Sequence, residues 1–224
     1  MSRRLAISDI HGCPKTFEAL LDKVRYSPNK DRLFLLGDYV NKGPDSKRVL
    51  EIIYDLKKRF PDNVTALLGN HDQQALSFFE HGNPAKTLVN GRSFGEIFPD
   101  LKKKERIRFR DFFRQCPLYA ELPDFLLVHA GFDFTAKNIF KNEDAMTVIR
   151  EFVVDPKKTG NRPVVHGHVP TRLSTIKQHI ADKDWNMPLD NGCVYADTQE
   201  GMGQLICLDL DTLTLTEQAN IDLT

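Results

Sequence analysis

Several short apolar segments of this sequence end in side chains that can bind a metal ion or transfer a proton. Asp9 and His11 follow the segment 5–7, and Asp38 follows the segment 33–36. The same kind of ending recurs at Asn70 and His71, at His129, and at His166 and His168. A single ending of this type has a structural explanation, because Asp and Asn often cap helices and form turns. Five of them in one chain predict a functional site.

The donor types indicate which ions would bind there. Carboxylate, amide and imidazole groups without thiolates favour Mn²⁺, Fe or Zn in a catalytic rather than a structural site. Two aspartates, one asparagine and three histidines are too many ligands for one ion. They suit two divalent ions about 3.5–4 Å apart that share one carboxylate. Such a pair polarises a phosphoryl oxygen and lowers the pKa of a bound water, so the residues predict hydrolysis of a phosphate ester.

These side chains must be brought together by the elements that carry them. Apolar periodicity predicts strands at 4–8, 33–36 and 64–68, alternating with helices at 14–25, at 45–59 and from Asp72 onward. This alternation predicts a parallel sheet covered by helices, whose strands open at their carboxyl ends onto one crevice. Asp9 and His11 are two positions apart, so an extended backbone would aim both side chains to the same side.

The second half of the chain is predicted to add more strands and an insert. The strands are expected at 125–128, 164–165, 193–196 and 205–210, the last two joined as a hairpin across 197–203. A polar and basic stretch at about 80–120 carries Phe109, Phe112 and Phe113 at helical spacing. It predicts a helical insert over one edge of the core.

Composition excludes several classes of protein. The 224 residues, 41% hydrophobic and 28% charged, predict a single domain over 1–224. Lys+Arg and Asp+Glu balance at 31 each, so neither nucleic acid nor an anionic membrane is an expected partner. Neither a signal peptide nor a membrane span is expected. The four cysteines are scattered, and we expect a cytoplasmic protein with reduced thiols.

The motifs together resemble a known family. They are Asp-x-His-Gly at Asp9, Gly-Asp-x-Val-x-x-Gly at Asp38, Gly-Asn-His-Asp at Asn70, His-Ala-Gly at His129 and Gly-His-x-Pro at His168. This series is similar to that of the metallophosphoesterases (the calcineurin-like superfamily). It is most similar to the phosphoprotein phosphatases in their small bacterial and bacteriophage form, which is related to symmetrical diadenosine tetraphosphatases. The resemblance implies an α/β fold, a four-layer αββα sandwich of two mixed sheets flanked by helices.

The resemblance also implies roles for individual residues. One divalent ion would be held by Asp9, His11 and Asp38, and the other by Asp38, Asn70, His129 and His168. Mn²⁺ is expected first, with Fe or Zn as alternatives. His71 would protonate the leaving oxygen. Arg150, in a segment similar to the family's Trp-x-Arg-x-Glu-Phe stretch, would bind phosphate, and His166 is expected to support the site by packing.

Three positions depart from the family's pattern. Asn41 and Lys42 stand where the family has Asp and Arg, and Leu68 stands where many relatives have Arg. A neutral Asn41 can orient His71 but gives little support to its charged form, so proton donation should weaken. Lys42 keeps a positive charge but lacks the fork of donors that Arg offers to phosphate. The departures predict an enzyme that is less efficient or adapted to an easier leaving group.

From the sequence alone, a serine/threonine protein phosphatase is the first expectation. In such an enzyme a hydroxide bound between two metal ions would attack a phosphate monoester in line with the leaving group. A hydrolase of dinucleoside polyphosphates is the main alternative, since it would use the same ions on an anhydride. A nuclease is disfavoured by the balanced charge. A binding module that has lost turnover is the alternative from another class, and only the three departures support it. The expected partner is a phosphoprotein or a phosphorylated small molecule, and no oligomeric state is predicted.

Overall fold

The structure, a computed structural model, describes residues 2–82, 88–89, 91–196 and 198–223, with residues 88 and 89 described by their backbone alone. The strands are β1 (Arg4–Ile7), β2 (Arg32–Leu35), β3 (Val64–Ala66), β4 (Leu88–Val89), β5 (Arg92–Ser93), β6 (Tyr119–Glu121), β7 (Leu126–Val128), β8 (Val164–His166), β9 (Asn186–Pro188), β10 (Gln204–Asp209) and β11 (Thr214–Ala219). The α-helices are α1 (Pro14–Lys23), α2 (Ser46–Arg59), α3 (Asn70–His81), α4 (Phe94–Ile97), α5 (Lys103–Phe113), α6 (Glu143–Val148), α7 (Pro156–Thr159) and α8 (Leu173–Ala181). Short 3₁₀ helices lie at Ile139–Lys141 and Cys193–Tyr195.

Two mixed sheets form the centre of the molecule. The first has the strand order β11-β10-β1-β2-β3, in which β1, β2 and β3 are parallel and β10 runs antiparallel to both of its neighbours. The second has the order β6-β7-β8-β9, in which β7, β8 and β9 are parallel and β6 is antiparallel. All of these parallel strands except β9 are followed by predicted site residues.

Alternation along the strands divides the core into layers. In β1, Leu5 and Ile7 pack with residues of α1 and α2, whereas Ala6 lies in an apolar layer between the sheets. In β7, Leu127 faces that same layer, and Leu126 packs on the other side with residues of the 139–154 region. Successive side chains of a strand point to opposite faces of the sheet, and here the residues on both faces are apolar and buried. The order is therefore helix, sheet, sheet, helix, which confirms the predicted αββα sandwich.

The start of α2 shows why the predicted helix at 45–59 forms. Asp45 precedes the helix, and its side chain accepts the backbone N–H of Arg48 at 2.8 Å. Such a cap satisfies one of the free N–H groups of the first turn. Basic side chains in the last turn complement the helix dipole.

The predicted strand at 193–196 is wrong. Cys193–Tyr195 form a 3₁₀ helix, because Gly192 before them has φ of 62° and turns the chain away from an extended path. The closing hairpin consequently joins β10 to β11, not to 193–196. Asp197, in the predicted hairpin loop, lies outside the described residues.

The region predicted as an insert, at about 80–120, contains α4 and α5, and the chain enters β6 of the second sheet at Tyr119. Phe109, Phe112 and Phe113 lie on α5, as their helical spacing predicts, and are buried in the layer that covers the first sheet. Residues 83–87 and 90 of the insert lie outside the described part of the chain. Within the described part, every helix lacks the length and apolar character needed to cross a membrane.

Candidate active site

Strand ends from both sheets meet in one crevice. Asn70 begins α3 after β3, and its side-chain oxygen lies 3.1 Å from Nε2 of His129, which follows β7. The backbone N–H of His168, after β8, lies 3.2 Å from both carboxylate oxygens of Asp9, which follows β1. The carboxyl ends of parallel strands in the two sheets therefore face each other across the predicted site.

Asp38 lies at the centre of this arrangement. Its Oδ2 is 3.6 Å from Nε2 of His11 and 3.9 Å from Nε2 of His71. Its Oδ1 is 3.5 Å from Nε2 of His129. The potential ligand atoms of His11, Asp38 and His71 lie within 4.8 Å of one another, and so do those of Asp38, His129 and His168. The two oxygens of one carboxylate thus face two groups of potential ligand atoms, as a bridging residue requires. The first group contains His71, the predicted acid, and not Asp9, the predicted ligand.

Hydrogen bonds determine which nitrogen of two histidines faces the crevice. Nδ1 of His11 lies 3.1 Å from the carbonyl oxygen of Val40, and Nδ1 of His129 lies 3.0 Å from that of Leu36. A carbonyl oxygen only accepts, so each Nδ1 carries the proton and each Nε2 presents a lone pair. Both lone pairs lie on the side of Asp38, where a cation could use them.

Potential ligand atoms also converge in the second group. The lone pair at Nε2 of His129 lies 3.1 Å from Oδ1 of Asn70, which is itself an acceptor, and Nδ1 of His168 lies 3.1 Å from the same oxygen. Nε2 of His168 is buried and has no hydrogen-bond partner within the described residues. Buried acceptors that face one another are stabilised when a cation lies between them. The donor set therefore fits a pair of divalent cations.

Burial dominates the acid–base behaviour of the crevice. Burial, together with the neighbouring Asp9, raises the pKa of Asp38 well above its ordinary value. Burial lowers the pKa of His71 to about 3, with the positive charge of Lys42 as the next cause, and it lowers the pKa of His168 to about 4. These imidazoles are consequently neutral near pH 7, which is the form that can bind a metal or donate a hydrogen bond.

The site residues adopt a backbone conformation that is uncommon outside glycine. The angle φ is 48° at His11, 54° at Asp38, 71° at Asn41, 67° at Lys42 and 70° at His168. Each left-handed residue of this kind costs on the order of 1 kcal/mol. The strain is concentrated where side chains must converge, as is common at functional sites.

Two glycines allow the strand ends to come close. A Cβ atom at Gly69 would lie 2.2 Å from Oδ1 of Asp38, and one at Gly167 would lie 2.1 Å from Oδ2 of Asp9. Any side chain at either position would push a carboxylate out of the crevice. This close approach explains the glycine that begins each of the motifs Gly-Asn-His-Asp and Gly-His-x-Pro.

Asp72 organises the loop that carries Asp38, whereas the sequence pattern predicts only the start of a helix at this residue. Its fully buried carboxylate accepts the backbone N–H groups of Asp38 at 2.8 Å, Tyr39 at 3.0 Å and Gly69 at 3.1 Å. Burial and the nearby Asp38 raise the pKa of this carboxyl. Its place as the last residue of the motif Gly-Asn-His-Asp was the available signal.

Asn41 contacts His71, as the sequence analysis predicted. Its Nδ2 lies 3.1 Å from Nδ1 of His71, and its Oδ1 accepts the backbone N–H of Lys42 at 2.7 Å. The side chain of Lys42 points into the crevice, with Nζ 2.8 Å from Nε2 of His11. Two of the three departures from the family pattern thus lie directly against the predicted acid and a predicted metal ligand.

Arg150 lies on an exposed segment after α6. Its charge reaches the site, because it lowers the pKa of His168, although burial and the neighbouring His129 have larger effects. A flexible cation beside a ligand cluster can meet an anionic substrate from the solvent side.

His166 and Leu68 lie behind the site. His166 is buried, with Nε2 2.6 Å from Oδ1 of Asn186 and Nδ1 3.1 Å from the carbonyl oxygen of Gly167. Its ring also packs edge-on against Phe152. Both nitrogens have partners outside the crevice, in agreement with the predicted supporting role. Leu68 is buried in the core layer of the first sheet, so it offers no charge to a substrate.

Fold and ligand clusters together define a metal-dependent phosphoester hydrolase. The chain belongs to the calcineurin-like phosphoesterase family, whose model matches residues 2–210. That family uses a pair of divalent cations, for which this chain has candidate ligands in the crevice.

One curated protein of this family is similar to about half of the chain. A symmetrical bis(5'-nucleosyl)-tetraphosphatase from Pseudomonas fluorescens (strain SBW25) is 36% identical over 128 residues, which are 56% of this chain and 42% of that protein. The chain thus covers less than half the length of this curated relative.

Solved structures match over nearly the whole chain. A candidate diadenosine tetraphosphatase has a TM-score of 0.69 at 22% identity and covers 98% of this chain and 94% of its own. A protein serine/threonine phosphatase from Saccharomyces cerevisiae has a TM-score of 0.70 at 17% identity, and the match covers 98% of this chain and 80% of that protein's chain. At these identities the structural matches establish the fold alone.

Proposed function

We propose that this chain hydrolyses the phosphate anhydride of dinucleoside polyphosphates, with diadenosine tetraphosphate as the first substrate to test. A relative at 36% identity is named for this activity. The protein phosphatase that the sequence analysis ranked first is represented by a structural match at 17% identity. We therefore rank the serine/threonine phosphatase second.

The proposed ligands are those predicted from the sequence. Asp9, His11 and Asp38 would hold one divalent cation, and Asp38, Asn70, His129 and His168 would hold the other. When bound, such a pair polarises a phosphoryl oxygen and lowers the pKa of water, and Mn²⁺ is the ion that we propose.

The chain's own contribution is to hold the ligands in place. The carbonyl groups behind His11 and His129 set their tautomers. The backbone N–H of His71 donates to Oδ1 of Asp38 at 2.9 Å and fixes the central carboxylate. Ligands that are oriented before binding lose less freedom when the site is filled.

The contact between Asn41 and His71 is the observation that carries the choice of substrate. Since Oδ1 of Asn41 accepts the N–H of Lys42, its Nδ2 must face the ring, and Nδ1 of His71 must be the acceptor. The ring proton therefore lies on Nε2, which is on the side of Asp38. His71 can donate a hydrogen bond from this atom, but a neutral imidazole is a weak acid.

Leaving groups differ in how much acid they need. A nucleoside phosphate leaves as an anion that is stable near neutral pH, because its second pKa is about 6. The oxygen of a serine side chain must be protonated as it leaves. A site whose acid is a neutral histidine is consequently better suited to an anhydride than to phosphoserine.

Positive charge in the crevice supports a substrate with several phosphates. Lys42 lies at the wall of the crevice, and Arg150 lies near its solvent side. We propose that both bind phosphate oxygens that do not react, which would hold the substrate in line for attack.

The four cysteines are free thiols, and we propose a reducing, cytoplasmic location.

A direct comparison of substrates tests the proposal. Initial rates would be measured with added MnCl₂ on diadenosine tetraphosphate, a phosphoserine peptide and p-nitrophenyl phosphate, with products separated by chromatography. We expect kcat/KM for the dinucleotide to exceed that for the peptide by at least about tenfold. We also expect ADP as the product, as the word symmetrical in the relative's name implies.

An Asp38→Asn variant serves as the control, because activity that survives it cannot come from this site. A higher kcat/KM for the phosphopeptide would overturn the proposal in favour of the protein phosphatase. The absence of turnover on all three substrates would instead favour the binding module.

A further inference from the structure

Lys42 occupies the lone pair that a metal would need at His11. Its Nζ lies 2.8 Å from Nε2 of His11, while Nδ1 of the same ring lies 3.1 Å from the carbonyl oxygen of Val40. Because Nδ1 carries the proton, Nε2 has one lone pair in the ring plane. That lone pair can accept a hydrogen bond from an ammonium group or bind a cation, but it cannot do both.

The backbone holds Lys42 in this position. Asn41 and Lys42 both have left-handed φ angles, and Oδ1 of Asn41 accepts the N–H of Lys42 at 2.7 Å. The side chain is half-buried and its charge acts on the carboxylates around it. It counteracts the pKa increase that burial and Asp9 cause at Asp38 and at the buried Asp190.

The same ammonium group also faces an aromatic ring. Nζ of Lys42 lies 5.3 Å from the centre of the Tyr195 ring, a distance at which an aromatic face attracts a cation. An Nζ that moved away from His11 on the side of this ring would keep one favourable contact. A flexible four-carbon side chain allows such a movement, whereas the planar guanidinium of Arg is more constrained.

We propose that Lys42 is a tethered internal cation that competes with the divalent ion for His11, so that the first metal position is the weaker of the two. This inference rests on the ligand role of His11 in the proposed function. Without metal, the ammonium group satisfies His11 and balances the buried carboxylates. A divalent ion held by His11 would take this lone pair, and the ammonium group would then be free to keep its contact with Tyr195 and to bind substrate phosphate.

Equilibrium dialysis against MnCl₂ tests the competition without any measurement of activity. The variant Lys42→Met removes the charge and the donor but keeps the length of the side chain. We expect the weaker of the two dissociation constants to decrease by about 10- to 100-fold, the range given by loss of a competing hydrogen bond to a charged group. The exposed Lys104 supplies a matched control, Lys104→Met, which should bind Mn²⁺ as the unchanged protein does.

Urea unfolding gives a second measurement on the same proteins. In EDTA, Lys42→Met should unfold at a lower urea concentration than the unchanged protein, because its buried carboxylates lack their counter-charge. Saturating Mn²⁺ should raise the midpoint of Lys42→Met by more than that of the unchanged protein. Dissociation constants within a factor of about two of the original, or weaker binding by the variant, would overturn the inference.

The inference and the proposed function can fail separately. Two-site Mn²⁺ binding with hydrolysis of the dinucleotide, but with no effect of Lys42→Met on affinity, would remove only the inference. Tighter binding by Lys42→Met in a protein that hydrolyses none of the tested substrates would remove only the proposed function.

Discussion

The side-chain amide of Asn41 donates to Nδ1 of His71, at 3.1 Å, and thereby holds the proton of the ring on Nε2. A carboxylate at the same position would do the reverse, since it could only accept and would draw the proton to Nδ1. One atom in the side chain of residue 41 therefore decides whether His71 is held as a neutral donor or supported as a charged acid.

The variant Asn41→Asp should restore the charged acid. We expect kcat on a phosphoserine peptide to rise by roughly tenfold, because protonation of a poor leaving group contributes most when the acid is strong. The rate on p-nitrophenyl phosphate, whose leaving group is stable as an anion, should change much less. Steady-state kinetics on both substrates at pH 7 would measure the difference.

The variant Asn41→Ala is the matched control, because it removes the contact without adding a charge. It should not increase either rate. Equal gains on both substrates in Asn41→Asp would contradict the tautomer argument.

Gly167→Ala should disable the site while the fold persists. The new Cβ would lie 2.1 Å from Oδ2 of Asp9 and 2.5 Å from the hydroxyl oxygen of Ser8, so the carboxylate must move. Displacement of a positioned group by about 1 Å can reduce the rate by about 100-fold. We expect a loss of this size in kcat/KM, together with weaker binding of Mn²⁺ in dialysis.

Gly91→Ala provides the comparison for Gly167→Ala. Among the described residues, apart from the chain neighbours, no heavy atom lies within 4 Å of a Cβ at Gly91, although its φ of 77° is strained for alanine. We expect it to lose about 1 kcal/mol of stability and to keep its activity. If Gly167→Ala behaves in the same way, the close approach to Asp9 is not essential.

Asp72 should matter for stability because it satisfies three buried N–H groups. Asp72→Ala leaves the N–H groups of Asp38, Tyr39 and Gly69 without this acceptor. Each such loss costs about 1–3 kcal/mol, so we expect a decrease of about 3 kcal/mol or more in the free energy of unfolding. Asp72→Asn keeps one acceptor oxygen and should lose less. Urea unfolding in EDTA would measure both, and a loss below about 1 kcal/mol in Asp72→Ala would contradict the assignment.

The ion pair between Arg3 and Asp31 predicts a pH dependence of stability far from the crevice. Burial alone would raise the pKa of Asp31, but bonds from the Arg3 guanidinium at 3.1 Å and 2.7 Å and from the N–H of Ser27 at 2.9 Å lower it overall. A lowered folded-state pKa stabilises the protein above the unfolded value, about 3.9. That stabilisation is lost as the pH falls through the folded value.

The variant Asp31→Asn should therefore lose about 1 kcal/mol at pH 7, because Arg3 is partly exposed. The difference from the unchanged protein should shrink as the pH falls below 4. Urea unfolding at pH 7 and pH 3 would measure it. The exposed Asp55 gives the control Asp55→Asn, which should change the free energy of unfolding little at either pH. If the loss of stability in Asp31→Asn instead grew towards acid pH, the pKa of Asp31 would be raised in the folded protein and not lowered.

The first half of the fold could be predicted because its signals are local. Apolar runs that pack on both faces mark β1, β2 and β3, and a capping Asp45 marks α2. The site followed from the same signals, since the ligands come directly after strands. The family resemblance supplied the division of ligands into two sets, and no spacing in the sequence determines it.

Other features depend on contacts that are distant in sequence. β9 has three residues, and its place is set by pairing with β8, where Val165 is opposite Met187. The strand β11 does have a local signal, since Leu213 and Leu215 alternate with threonines. The predicted strands do not include this segment. The contact between Lys42 and His11 could not be predicted, because two left-handed residues aim that side chain into the crevice.

The position of β1 within its sheet has a consequence for biosynthesis. β1 lies between β2 and β10, and Arg4 bonds to Asp211, which is 207 positions further along. A nascent chain on the ribosome thus exposes one edge of β1 until β10 has been made, and pairing over such a separation is slow. During that interval the open strand can join a neighbouring polypeptide, so we expect chaperones to increase the soluble yield.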